Sequence, residues 1–380
     1  MQNHSLRLIV RKNALFMMCA MGMLICFATE AKAQKKDWKQ KIKNSITLKL
    51  TSNYDDNILK YSDKYIQRFL NQEDQGRFHI ITYDDVTLAP QASFSSTVNW
   101  TKNQSSKFNV LYKYYAYMGN GDKNRSYLSL GLQHRFKKNL MVGFSYSYIP
   151  KFYVRHLRDD DWVRIYGYSP ETFQAYSFSK DSYGFDVQNT FFNKSRLRIS
   201  YDYALYFHNE HFTEYDSRNS TIGANLRQKI TKDLSLEAGY SYTMSNAKGF
   251  DQAGETKESS DDSDGSYNEN SYDFRVIWNL PKLKGFKHSI DLGFSYMDRD
   301  YTTKKTPDAD QLHSGREDDN FEISGSYSID LSRKLSIELF YNRYLRNATS
   351  VYPVNREYIS DEKDYRQNQI GLTVIYNFDF

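Results

Sequence analysis

Cysteine and long apolar runs are both scarce in this chain of 380 residues. Its two cysteines, Cys19 and Cys26, lie close to the beginning of the chain. After that beginning, no segment approaches the ~18 uncharged apolar residues that a transmembrane helix needs. These absences exclude a helical membrane protein. They also exclude a mature protein held together by disulfides, if the beginning of the chain is removed.

The first 33 residues have the order of segments found in a secretory signal peptide. Basic residues at positions 7, 11 and 12 precede an uncharged run over 14–28, and an A-x-A sequence ends at Ala33. We therefore expect cleavage after Ala33, which would leave a short lead over 34–44 and remove both cysteines. A lipoprotein anchor at Cys26 is the alternative, but leucine and isoleucine replace the small residues expected just before it.

Net charge is also low. Removal of residues 1–33 would take four basic residues and one acidic residue from totals of 51 and 46, so the remaining chain is close to neutral. A nucleic-acid-binding domain normally carries a strong basic excess, and we expect no nucleic-acid partner.

Aromatic residues, in contrast, are abundant. The chain contains 33 Tyr and 24 Phe although its mean hydropathy is −0.75. A disordered chain would be poor in aromatics. A membrane β-barrel needs apolar residues only on its outer face, together with aromatic girdles at both interfaces, so this class accounts for both features.

Apolar and polar residues alternate with a period of two over 45–380. This period is typical of strands with one apolar and one polar face, and it predicts about fourteen strands of near ten residues each. The first covers 45–54, and the last covers 366–380. The last strand carries six apolar residues on one face: Ile370, Leu372, Val374, Tyr376, Phe378 and Phe380.

Connections between the predicted strands alternate between short and long. The short ones are turns such as 137–139, 193–195 and 332–334. The long ones are 55–88, 149–172, 208–218, 245–271, 299–318 and 346–364. This asymmetry indicates an up-and-down arrangement of hairpins with all long loops at one end.

These features together resemble Gram-negative outer-membrane β-barrels of the porin-like type. The resemblance implies an all-β fold: a transmembrane antiparallel up-and-down barrel of about fourteen strands over 45–380, with short periplasmic turns and long extracellular loops. It also implies a location in the cell outer membrane, contact with its lipids and lipopolysaccharide, and folding by the barrel-assembly machinery. Tyr376, Phe378 and Phe380 would form the closing strand and export signal.

Charged residues fall on the polar face of the predicted strands. A charge on the lipid side would be costly, so these residues are expected to line the lumen, where they are candidates for setting solute selectivity. They are Lys49, Lys113, Arg135, Asp186, Arg198, Asp202, Arg227, Glu237, Asp273, Arg275, Asp291, Glu322 and Glu338. A passive channel for small hydrophilic solutes is the function that we expect, with no catalytic residue, metal or cofactor.

Two long loops allow different interpretations. Segment 55–88 has apolar residues at roughly helical spacing, which predicts a short amphipathic helix. It could fold into the pore as a constriction, but we favour a surface loop with its aromatic residues on the rim. The acidic run 261–265 could bind calcium, yet it lacks the spacing of an EF-hand, and a solvated, mobile loop is the preferred interpretation.

Two other functions remain open. One is a receptor or anchoring barrel that works through loops such as 249–270 and 346–364. The other is a hydrolase at the loop rim. Its acids and histidines would be Asp159–Asp161 with His156, or Asp84 and Asp85 with His208 and His211. No nucleophile motif accompanies either set, so the hydrolase is the less favoured.

Overall fold

The computed structural model describes residues 42–380 except Gln75 and Asn193. The predicted signal peptide, 1–33, and most of the lead, 34–44, therefore lie outside the described residues. Asn44–Phe380 forms one compact unit. Within the described residues there are fourteen strands: β1 Ile42–Asp55, β2 Asp85–Asn99, β3 Ser105–Tyr117, β4 Arg125–Arg135, β5 Leu140–Arg158, β6 Phe173–Phe191, β7 Ser195–His208, β8 Ser217–Lys229, β9 Leu234–Ala247, β10 Tyr267–Leu283, β11 Phe286–Tyr301, β12 Arg316–Asp330, β13 Leu335–Ser350 and β14 Tyr365–Asp379.

Each strand pairs with its neighbours along the chain, and the sheet closes into an antiparallel barrel. The closing pair is β1 with β14, in a register that runs from Ser45 opposite Asp379 to Asp55 opposite Gln369. Closure leaves no strand edge with unpaired backbone groups, which a lipid environment could not satisfy. The predicted fold class and the pairing of the last strand with the first are confirmed.

The alternation of the sequence separates the two faces of this sheet. Many large apolar side chains on one face are exposed to solvent. They form a belt that includes Leu48, Leu50, Phe94, Tyr112, Phe144, Ile199, Ile222, Phe274, Leu292, Ile323, Leu339 and Leu372. So large an exposed apolar surface needs a lipid covering. The barrel is therefore a transmembrane one, with its apolar surface outside.

Aromatic residues border the belt at both ends. Towards one end, tyrosine hydroxyls of the outer face donate to polar side chains: Tyr54 to Asp84 at 2.8 Å, and Tyr341 to Asn368 at 2.8 Å. At the other end, the indole N–H of Trp100 donates to Ser106 at 2.8 Å. Rings with a polar tip suit the boundary between hydrocarbon and water, so these side chains form the expected girdles.

The two ends of the barrel differ in their connections. The turn end carries the tight connections 100–104, 136–139, 192–194, 230–233, 284–285 and 331–334. The loop end carries L1 (56–84), L2 (118–124), L3 (159–172), L4 (209–216), L5 (248–266), L6 (302–315) and L7 (351–364). The alternation of loop length predicted from the sequence is thus present.

Three short α-helices occur in the loops of the described region: α1 Asp63–Leu70 in L1, α2 Asp160–Tyr166 in L3 and α3 Arg356–Lys363 in L7. Helix α1 confirms the helix predicted within 55–88. Ser62 caps it by accepting a hydrogen bond from the N–H of Tyr65. None of the helices in the described part of the chain is long and apolar enough to cross a membrane.

Strand length is where the structure departs most from the sequence-based expectation of about ten residues. The strands have 11 to 19 residues, and β5 and β6 are the longest. At the loop end these two strands stay paired up to Arg158 opposite Phe173, across two bulges. A regular alternation of apolar and polar residues marks the membrane segment. In these extensions the bulges on β5 interrupt the period of two and aromatic residues occupy both faces of β6, so the sequence pattern misses them.

Candidate functional site

The candidate site is the interior of the barrel, because the predicted charged residues lie there. All thirteen fall on the face opposite the apolar belt. The structure joins six of them into three ion pairs: Asp186 with Arg198 at 3.2 Å, Arg227 with Glu237 at 3.3 Å, and Arg275 with Asp291 through two hydrogen bonds. These pairs hold neighbouring strands together on the inner face. The role of the thirteen in selectivity remains a prediction.

Two of the other predicted residues accept hydrogen bonds from serine hydroxyls, and a third lies against an aromatic ring. Asp273 accepts a hydrogen bond from Ser295 at 2.8 Å, and Glu338 accepts one from Ser328 at 3.2 Å. The ammonium of Lys113 lies 4.4 Å from the centroid of the Tyr115 ring. No ion pair within the described part of the chain links Lys49, Lys113 or Arg135 to a carboxylate.

Charge is unevenly distributed around the wall. The predicted lumen residues on β1, β3 and β4 are all basic: Lys49, Lys113 and Arg135. On β9–β13 five of the six are acidic: Glu237, Asp273, Asp291, Glu322 and Glu338. Among the predicted lumen residues, the basic ones on β1–β4 and the acidic ones on β9–β13 therefore lie on different arcs of the wall.

L1 enters the barrel from the loop end. Ile58, Leu59, Tyr61 and Tyr65 are buried and form one hydrophobic cluster with Tyr153 of β5. The side chains of Phe78, Tyr117 and Ala175 pack against this cluster. L1 begins after β1, whereas Tyr153 and Ala175 belong to β5 and β6, so the segment reaches across the interior.

Polar contacts fix L1 on both sides of the barrel. The side-chain amide of Asn57 donates to the carbonyl oxygens of Tyr61 at 2.8 Å and of Arg366 at 2.9 Å. On the far side, the guanidinium of Arg155 donates to the carbonyl of Leu59 at 3.0 Å. The preferred sequence interpretation, a loop lying on the rim, is therefore wrong. The inward alternative fits, because the aromatic residues of L1 find apolar and cationic partners inside the wall.

L7 closes over L1. Ile359 of α3 is fully buried, and Glu362 lies 3.3 Å from the ammonium of Lys64 on α1. The neighbouring Lys363 is enclosed among cationic groups, and burial together with Arg316 holds its pKa well below the ordinary value. These contacts make L1 and L7 one structural lid at the loop end.

L5 is also ordered, which corrects the expectation of a solvated, mobile loop. Ser260, Asp264 and Ser266 are buried. The N–H of Asp264 donates to Asp310 of L6 at 2.8 Å, and the ammonium of Lys305 donates to the carbonyl of Ser260 at 2.9 Å. The sequence shows no apolar anchor in this loop because its anchors are polar groups of L6, far along the chain.

Carboxylates of L4 and L5 lie close together at this end. Oxygen atoms of Asp251, Glu255 and Asp262 lie within 4.8 Å of one another, a donor set that suits a hard cation. Burial and the neighbouring Asp262 raise the pKa of Asp251 to about 7. Burial, with Asp262 and Asp251 nearby, raises the pKa of Glu214 to about 8. Protonation of Asp251 and Glu214 therefore stabilises the folded conformation of these loops.

The candidate hydrolase groups do not form one site. His211 lies 2.8 Å from Asp159, whose other oxygen accepts from the N–H of Trp162 and caps α2. His156 stacks on His79 with centroids 3.7 Å apart. The carboxylate of Asp85 accepts from the backbone of Gly119 and Asn120 in L2. These groups hold loops together, and the expectation of no catalytic residue remains a prediction.

Sequence reasoning missed the cations nearest the lid. Arg125 has the inner-face parity of β4, so a longer strand assignment would have included it. Lys60 lies 5.2 Å from the ring centroid of Tyr344, and Arg155 lies 4.9 Å from that of Tyr61. Lys123 of L2 is buried, and this burial together with Arg125 lowers its pKa to about 7. The backbone around Lys60, Arg155 and Lys123 is irregular, so no period of two in the sequence marks these residues as facing inward.

The closing strand is placed as predicted. Tyr376 and Phe378 lie on the outer face of β14 with ring centroids 4.5 Å apart. Phe380 exchanges backbone hydrogen bonds of 3.0 Å with Asn44 in both directions. Their role as an export signal stays a prediction.

Solved structures with a similar chain path are outer-membrane proteins. OmpT of Vibrio cholerae shares 9% identity at a TM-score of 0.45 and covers 92% of this chain and 100% of its own. The outer-membrane channel DcaP of Acinetobacter baumannii shares 9% identity at 0.45, over 89% and 97% of the two chains. An anion-selective porin from Comamonas acidovorans shares 9% at 0.42, over 89% and 99%. Such values assign neither a family nor an activity. No protein-family model and no curated protein matches the chain.

Proposed function

We propose that this outer-membrane β-barrel, whose interior is polar and charged, is a passive channel for small hydrophilic solutes. L1 would narrow the channel at the loop end. The observation that carries the proposal is the separation of faces. Apolar residues cover the outside, whereas charged and hydroxyl side chains line the inside. A barrel of fourteen strands has room for water inside its wall.

L1 would act as the constriction. Its hydrophobic cluster gives it a fixed position. Its own Lys60 and the neighbouring Arg155 of β5 add positive charge to the interior. Solutes would pass beside this segment, so its removal should widen the narrowest part of the path. Selectivity would then depend on the wall charges alone.

The test is conductance of the purified protein in a planar lipid bilayer. We expect discrete steps for the full chain and larger steps after residues 59–80 are replaced by a short glycine–serine linker. As a control, residues 160–166 of α2, none of which is buried, are replaced in the same way, which should leave the step size unchanged. A correctly folded barrel that gives no steps, with or without L1, would refute the channel.

A second candidate is surface recognition through L3. Helix α2 has no buried residue, and Ile165 and Tyr166 are 70% and 69% exposed. Exposed apolar side chains on a loop favour a binding surface. A photo-crosslinking amino acid in place of Tyr166 should then capture a protein in living cells, whereas one in place of the exposed Lys102 on the turn end should not. Equal capture at both positions would exclude this function.

A further inference from the structure

A cavity of about 280 Å³ lies inside the barrel wall next to L1. Inner-face residues of β1–β4, β13 and β14 line it, among them Lys113, Arg125, Asp55, Tyr115, Tyr117 and Phe340. Tyr117 also packs against the hydrophobic cluster of L1. The cavity therefore adjoins the proposed constriction, where a passing solute would have to touch the wall.

The cations of this cavity are held by aromatic rings. The ammonium of Lys113 and the guanidinium of Arg125 lie 4.4 Å and 4.3 Å from the centroid of the same ring, Tyr115. Phe152 lies against Arg125 as well, at 4.7 Å. Rings hold a cation in place without neutralising its charge.

Hydrogen-bond donors of these cations remain available. Arg125 donates to the hydroxyl of Tyr117 at 3.0 Å, which is one of the five N–H groups that a guanidinium offers. Within the described part of the chain, neither Arg125 nor Lys113 lies within 4.0 Å of a carboxylate. A planar fork and a nearby ammonium suit the two oxygens of a carboxylate.

The acid on the opposite side of the cavity has its own partners. Asp55 accepts hydrogen bonds of 2.8 Å from the side-chain amides of Gln367 and Gln369, and one of 2.9 Å from the N–H of Asn57. These neutral donors satisfy its oxygens and anchor it to β14. Asp55 is thus not the counter-ion of Lys113 or Arg125, and the two cations outnumber it.

We propose that this cavity binds small organic anions, with a carboxylate on Lys113 and Arg125 and a flat carbon skeleton against the aromatic wall. This inference rests on the proposed channel, because the bound anion would be the solute selected at the constriction. Tyr115 and Phe340 supply the apolar surface that a bare oxyanion would not need. Benzoate is the simplest probe with both features, and benzamide is its neutral counterpart.

The test measures benzoate binding to the folded barrel in detergent by isothermal titration calorimetry. We expect saturable binding of benzoate and none of benzamide. Lys113→Gln or Arg125→Gln should weaken benzoate binding about tenfold or more, the usual effect of losing one charge-assisted hydrogen bond. Lys107→Gln is the matched control: it removes the same charge from the same face of β3, close to the turn end, and should have no effect.

Bilayer recordings separate this proposal from the channel itself. If the channel conducts, benzoate should reduce its current, and the two variants should relieve that block. Saturable binding without any conductance would refute the channel and support the site. Equal binding of benzoate and benzamide would refute the anion site, as would identical affinities in the Arg125→Gln and Lys107→Gln variants. The heat-dependent gel mobility of each variant verifies that it has folded.

Discussion

Gly371 shows how tightly single residues are fitted on the inner face of the closing strand. It lies opposite Phe340 in the pair of β13 and β14. A Cβ atom at this position would meet the ring of Phe340, and it would lie 2.6 Å from the backbone oxygen of Ser52. The ring fills the space that the glycine leaves, so both adjacent strands restrict this position.

Gly371→Ala is therefore expected to destabilise the barrel by about 1–3 kcal/mol, the usual cost of overpacking a tight site. Urea unfolding in lipid vesicles measures the change. Gly325→Ala is the control, because the nearest atom to its added Cβ is a methyl of Leu292 at an ordinary 3.5 Å. Equal midpoints for the two variants would show that Phe340 and Ser52 can move aside at no cost.

At the scale of elements, the loops of the loop end share a set of acids whose pKa values burial raises. A carboxyl with a raised pKa in the folded state favours that state only while it is protonated. For Asp251 and Glu214 this contribution is complete below their ordinary pKa values near 4. It is lost as the pH rises through about 7 for Asp251 and about 8 for Glu214.

We therefore expect L4 and L5 to loosen between pH 6 and pH 9. Hydrogen exchange of residues 209–216 and 248–266, corrected for the intrinsic rate at each pH, measures this change. The double variant Asp251→Asn and Glu214→Gln should remove most of the pH dependence. Glu258→Gln on the exposed part of L5 should keep it. Faster exchange at pH 6 than at pH 9 would contradict the direction argued here.

Strands were far more predictable from the sequence than loops, and the reason is physical. Lipid on one side and water on the other impose a period of two, so Lys49 and Glu338 could be assigned to the inner face from parity alone. No comparable rule governs L1. Its position depends on Asn57, whose amide bonds the carbonyl of Arg366, 309 residues away. Contacts of that kind leave no local pattern in the sequence, so the sequence alone does not favour the inward fold of L1.

For the whole molecule, the lipid belt requires an apolar face on every strand, including the last. Val374 lies on that face between Leu50 of β1 and Ile337 of β13. A lipid-facing carboxylate costs somewhat less than the ~2–4 kcal/mol of a basic residue at the midplane, but it still opposes insertion. Val374→Glu should lower the yield of folded barrel in vesicles, measured by heat-dependent gel mobility.

Ile375→Glu is the matched control for that variant. It places the same charge one residue further along the strand, on the inner face, directly opposite Lys49 of β1. The added carboxylate would meet water and an opposite charge, so the yield should stay close to that of the unchanged chain. An equal loss of folded barrel in the two variants would mean that Val374 does not face lipid. The assignment of the inner and outer faces of β14 would then be wrong.

Deletion of Phe380 would distinguish an effect on assembly in the cell from an effect on the stability of the folded barrel. In the structure its backbone makes two hydrogen bonds with Asn44, and its ring is 68% exposed outside the wall. Two hydrogen bonds at the end of a ladder contribute little, about 0.5–1.5 kcal/mol each. Deletion of Phe380 should therefore leave refolding of the purified chain in vesicles almost unchanged. If the export machinery recognises Phe380, the same deletion should sharply reduce the amount of folded barrel recovered from cell envelopes. Normal recovery from cells would show that Phe380 has no role in export. The closure of the barrel by β1 and β14 would then be supported only by the register of that strand pair.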